Sequence, residues 1–201
     1  ASFVMYGGKI IDFKNAVIAK DYSRFTMYGG SITGNNANSA AAVSGIATST
    51  HVGDNLPTSI ITMYGGEISG NKLVNAGNGG GICLNDKEGK AKLVMSGGSI
   101  KDNKTSGGAS AGGGVNFANG GTFTMSGGSI TGNTASGDGG GVRLFRNVIF
   151  TMTGGEISGN KSNGVNGGTG GGVQMEDNSS TLNISGAPII KNNTASGKAN
   201  N

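Results

Sequence analysis

The stretch Phe123-Thr124-Met125-Ser126-Gly127-Gly128-Ser129-Ile130-Thr131-Gly132-Asn133 decides how this chain folds, because close copies of it begin at Phe3, Phe25, Ile61, Leu93, Phe150 and Leu182. Successive copies start 22, 36, 32, 30, 27 and 32 residues apart. A unit this short cannot bury its own apolar residues, so the copies must stack. Each unit holds three apolar pieces: Phe-x-Met, the piece around Ile130, and a piece behind a glycine cluster such as Val115-Asn116-Phe117. Alternation of period two predicts strands, and no helical period is sustained.

Strands that repeat once per unit pair in parallel with their copies, ~4.8 Å apart. The pattern therefore predicts an all-β fold, a parallel β-helix forming a three-sided solenoid of about seven coils, as one domain over residues 1–201. The coil length favours the right-handed form, because left-handed coils usually track a hexapeptide repeat. Inside such a rod equivalent residues form columns. Met5, Met27, Met63, Met95, Met125 and Met152, followed by Ile184, make one; Ile10, Ile32, Ile68, Ile100, Ile130, Ile157 and Ile189 make another. Thioether stacks are pliable core filler, so no metal and no cofactor is expected there. Asn35, Asn71, Asn103, Asn133, Asn160 and Asn192 are read as a structural ladder of stacked amides that satisfies a turn.

Composition narrows the function classes. The chain has 42 Gly, 2 Pro, no Trp and a net charge of +4 spread without a basic run. Nucleic-acid binders concentrate such charge on one face, so no nucleic acid is expected as partner. No apolar run approaches the ~20 residues of a membrane-spanning helix. No export leader is seen, so any such signal has been removed or lies outside this segment. A lone Cys83 excludes an intrachain disulfide.

The words Gly-Gly-Ser-Ile, Gly-Gly-Glu-Ile and Phe-Thr-Met-Ser-Gly-Gly resemble the repeats of right-handed β-helix surface proteins of bacteria and archaea, including adhesin-like proteins and the passenger regions of polymorphic outer-membrane proteins. The resemblance covers nearly the whole chain. It implies an exported protein at the cell surface or outside the cell, with a role in adhesion or structure.

Candidate sites follow from what points outward. Tyr6, Tyr28 and Tyr64 each follow the Met column, so alternation turns them out as a ladder on three successive coils. Such a row fits sugar rings or partner proteins, or covers the corner glycines. Thr26, Thr62, Thr124 and Thr151 form a second outward row. β-Helices also house polysaccharide lyases and hydrolases, which need clustered carboxylates. Here Glu67 and Glu156 share a coil position but stand three coils apart, roughly 14 Å. Glu176-Asp177 lies near Arg143 and Arg146 of the preceding coil and reads as a solvated turn. His51, the only histidine, sits in the longest insertion, and Cys83 alternates outward as a passive small residue.

No catalytic residue is assigned, and the chain is expected not to be an enzyme. The leading expectation is a non-enzymatic extracellular scaffold or adhesin-like protein that meets surface glycans or host proteins. The first alternative is a filament subunit that stacks end to end on copies of itself, because the first strand starts at Ser2-Phe3 without a polar cap. A segment of a longer rod accounts for the same uncapped start. A polysaccharide-acting lyase or hydrolase is the second alternative.

Overall fold

The computed structural model describes residues 1–38, 41–47, 59–107, 111–164, 169–195 and 198–199. Every regular element among them is a strand, and the strands recur in four sheets. The methionine sheet runs from Ser2–Met5 to Thr181–Ile184, and the isoleucine sheet from Lys9–Ile10 to Ile189–Lys191. A short sheet begins at Asn36–Ala37 and a post-glycine sheet runs from Val17–Lys20 to Val173–Met175. Each strand pairs in parallel with its copy one coil away, in register: Met95 faces Met63 and Met125, and Ile100 faces Ile68 and Ile130. The chain is a parallel β-helix of six to seven coils. Thr194–Ala195 alone, among the described residues, also pairs antiparallel, with Lys198–Ala199.

The coil has four sheets rather than the three strands per unit expected from the repeats. The added one follows the ladder asparagine, where the residue before that asparagine takes a left-handed backbone (Gly70 φ 58, Asp102 φ 54, Gly132 φ 65) and turns the chain. The strand behind this corner is as short as Thr134–Ala135, and its buried side chains are mostly small: Ala37, Thr105, Ala135, Ser162 and Ala195. So little apolar bulk leaves no alternation to read.

Stacking makes the core. Phe25, Met27, Ile61, Met63, Leu93, Met95, Phe123, Met125, Phe150 and Met152 are completely buried in the methionine sheet, and Ile32, Ile68, Ile100, Ile130 and Ile157 are completely buried in the isoleucine sheet. Phe123 and Phe150 stack with ring centroids 4.2 Å apart, close to the strand spacing itself. The seventh coil slips by one residue. Ile157 pairs with Ile190, so Ile189 is not in the column: it points outward, opposite Glu156. The cause lies in the turn before it. Where the sixth coil passes from Met152 to Ile157 with Thr153-Gly154-Gly155-Glu156, the seventh passes from Ile184 to Ile190 with one residue more, Ser185-Gly186-Ala187-Pro188-Ile189.

Candidate functional site

The asparagine ladder is the most complete side-chain network of the rod. Asn71 Nδ2 donates to Asn103 Oδ1 at 2.9 Å and to the Ile32 carbonyl at 2.9 Å, while the Asn71 backbone N–H also donates to Asn103 Oδ1. Asn103, Asn133 and Asn160 repeat this pattern one coil further each time. Both amide protons are used and the oxygen accepts twice, in a fully buried corner. The last rung is Asn193, not Asn192: Asn160 donates to Asn193 Oδ1, and Asn193 Nδ2 donates to the Ile157 carbonyl. Asn192 instead holds the exposed left-handed position (φ 55) that Gly159 holds one coil earlier. The inserted residue in the preceding turn moved the register by one. At the other end Phe13 occupies the rung, and its backbone N–H donates to Asn35 Oδ1.

Tyr6, Tyr28 and Tyr64 do form an outward row. Their ring centroids lie 5.1 and 4.8 Å apart with interplanar angles of 7° and 13°, and the side chains are 75, 47 and 51% exposed. The spacing is the coil rise, so the backbone dictates the stack. The Tyr28 N–H donates to the Met5 carbonyl at 2.8 Å, and the Tyr6 carbonyl in turn sits 2.6 Å from where a Cβ on Gly29 would stand. Glycine after tyrosine is thus required by the close approach of the coil beneath. Ser96, Ser126 and Thr153 continue the row with small polar groups. Because the rings stack face to face, both faces of Tyr28 are covered, and the row offers ring edges, hydroxyls and the outer faces of Tyr6 and Tyr64.

The carboxylates are engaged one by one. Glu67 pairs with Lys101 at 2.9 Å, and Glu156 with Lys191 at 3.4 Å. The Ser69 hydroxyl, ahead of Lys101, holds the Glu67 carboxyl below its usual range, and the Ser158 hydroxyl does the same for Glu156. Glu176 pairs with Arg143; Asp177 accepts from the Ser179 hydroxyl and the Arg146 N–H, which lower its pKa. The lowered pKa of Glu67, Glu156 and Asp177 makes these three poor general acids at neutral pH. Among the described residues no group of three or more His, Cys, Asp and Glu comes together. His51 lies outside the described residues.

Cys83 is buried although alternation turns it away from the core. The outer row Ser44, Cys83, Asn116 and Arg143 is roofed by the glycine corners: a Cβ on Gly112, whose φ is 67°, would stand 2.6 Å from the Asn116 Cβ. Within the row Asn116 Nδ2 donates to Cys83 Sγ at 3.5 Å, and Arg143 Nη1 donates to Asn116 Oδ1 at 3.1 Å. Burial pushes the Cys83 thiol up to about 11, which leaves it an inert part of a structural network.

Sequence reasoning missed one arrangement. At the corner between the post-glycine and methionine sheets, Lys87, Glu88, Gly89, Asn119, Gly120, Arg146 and Asn147 from three successive coils line a cleft of about 260 Å³. The signal was Asp86-Lys87-Glu88-Gly89, with Asp first and Gly fourth as in a type I turn. Compared with known proteins, the chain matches no family model, no curated protein and no solved structure.

Proposed function

We propose that this chain is a non-enzymatic, extracellular scaffold of the adhesin-like kind, which meets a partner protein along the tyrosine row. The observation that carries this reading is an exposed aromatic stack on a rod whose other outward positions are mostly Thr, Ser and Lys. Exposed aromatic edges bearing hydroxyls are the surface chemistry that protein interfaces favour. The covered faces of Tyr28 leave sugar rings only the outer faces of Tyr6 and Tyr64 to stack on. Glu67, Glu156, Glu176 and Asp177, tied into ion pairs and turns, fit a scaffold better than a hydrolase. The test is retention of chain-coated beads on surfaces bearing extracellular-matrix proteins, with glycan-coated surfaces as the contrast that should not retain them. Replacing Tyr6, Tyr28 and Tyr64 together by Ser should abolish retention while the β-sheet circular dichroism stays. Turnover of any polysaccharide by the purified chain would sink the reading.

A second reading is end-to-end stacking, which the open strand edges at the two ends of the described rod permit. Phe3 is 43% exposed and Ile184 is 55% exposed, on strands with one unpaired edge each. A further coil would cover them, supplied by flanking chain or by a second copy. Head-to-tail contact between copies is heterologous and grows filaments. Negative-stain electron microscopy across concentrations tests it: filaments that vanish with Phe3→Asp or Ile184→Asp support it, and short rods throughout overturn it.

A further inference from the structure

The cleft at the corner before the methionine sheet lies along the other edge of that sheet from the tyrosine row, and it is built differently from its neighbours. Between Phe117 and Gly121, and between Leu144 and Val148, three residues make the turn; between Leu84 and Ala91 there are six. The added residues form an ordered overhang. The fully buried Asp86 carboxylate accepts the Glu88 and Lys90 backbone N–H groups, each at 2.9 Å, and the Gly89 N–H donates to the Asp86 carbonyl. This turn holds Lys87 out over the cleft.

Arg146 faces it from two coils away and is fixed in place. Its Nη1 donates to Asn119 Oδ1 at 3.0 Å, and Asn119 Nδ2 donates to Asn85 Oδ1 at 2.8 Å. The guanidinium carbon lies 4.6 Å from the centre of the Phe145 ring. Arg146 and Asn147 both have positive φ, 61° and 55°, at the same corner where the preceding coil has Gly120 and Gly121. Asp21 and Tyr22 take the same left-handed backbone at this corner of the first coil, with φ of 37° and 59°, so the tight turn belongs to the coil and what sets this stretch apart is its side chains. Among the described residues no carboxylate pairs with the side chain of Lys87 or Arg146, and Glu88 is taken by Lys90 at 2.9 Å.

We propose that this cleft binds one carboxylate-bearing sugar residue of an acidic saccharide. Arg146 offers a planar fork of donors that suits a carboxylate, and Lys87 adds a second positive charge. The Asn119 and Asn147 amides carry donors and acceptors that suit sugar hydroxyls. The cleft volume is small for a drug-sized ligand and fits a single ring with its substituents. The surface is open, so the saccharide chain can run on along the rod.

Isothermal titration of the whole chain with a galacturonate tetrasaccharide, against a neutral galactose tetrasaccharide, tests the assignment. The acidic oligomer should bind, more weakly as salt rises, and the neutral one should bind at least tenfold more weakly. Losing one charge-assisted hydrogen bond corresponds to about tenfold or more in affinity. Lys87→Gln and Arg146→Gln should each weaken binding by about that factor. Lys87 lies at the tip of the turn, so its variant keeps the fold; Lys72→Gln, which removes an exposed charge on the short sheet, should leave affinity unchanged. Absence of binding, equal binding of the two oligomers, or unimpaired binding by both cleft variants overturns the proposal.

Discussion

Two side-chain rows run along this rod, one inside and one outside, and the same periodicity makes both. The inner asparagine row extends from Asn35 to Asn193, with each amide spent on the coils above and below. The outer tyrosine row covers three coils and then gives way to Ser96, Ser126 and Thr153. An inner rung that fails strands buried donors and acceptors, whereas an outer rung that changes exposes another side chain to water. The inner row is therefore held by structure, and the outer row is where chains of this design can differ.

The sharpest break of that contrast is Asn103→Ala. It leaves the buried Asn71 amide and the Ile68 carbonyl without their partners, for about 3 kcal/mol or more. In a chain of this length that lowers the melting temperature by roughly 6–12 °C, read by thermal circular dichroism. Next comes the seventh coil, where Asn193→Ala should cost about 1–2 kcal/mol by urea titration. The neighbouring Asn192→Gly should be neutral or slightly stabilising, because φ is 55° there. Equal effects at the two positions would return Asn192 to the ladder. Tyr28→Ser, by contrast, should cost about 1–2 kcal/mol in the same titration, the loss of two ring contacts. A loss as large as that of Asn103→Ala would make the outer row structural too.

The smallest effect concerns pH. Ser69 and then Lys101 lower the folded pKa of Glu67, so its contribution is complete above the unfolded glutamate value and is lost as pH falls through the folded one. Wild type should thus lose slightly more melting temperature than Glu67→Gln on acidification below the ordinary glutamate range. Coincident pH profiles would show that the pair is solvent-screened to nothing.

The fold was legible because Phe-x-Met and the column Ile are large, apolar and regularly placed. The fourth sheet was not, since Ala135 and Ser162 bury too little to show a period. The asparagine row was legible up to Asn160 and misread at its end. Two adjacent asparagines, Asn192 and Asn193, left the choice to a one-residue insertion whose place depends on strand pairing. Alternation correctly turned Cys83 away from the core, yet burial there depends on how the glycine corners fold back, which is a property of three dimensions. The tyrosine row was found by alternation, but that its rings cover one another's faces depends on rotamers. The cleft draws on three coils, and no stretch of sequence contains it.

Coils of this rod vary from 22 to 36 residues, yet each advances the axis by one strand spacing, ~4.8 Å. The molecule is therefore a ruler whose graduations do not depend on how much chain hangs from each mark. A loop can lengthen at one corner, as at Asp86–Gly89, without moving any displayed group further along the rod. Duplicating a whole coil would shift everything beyond it by a single graduation and leave the rows aligned.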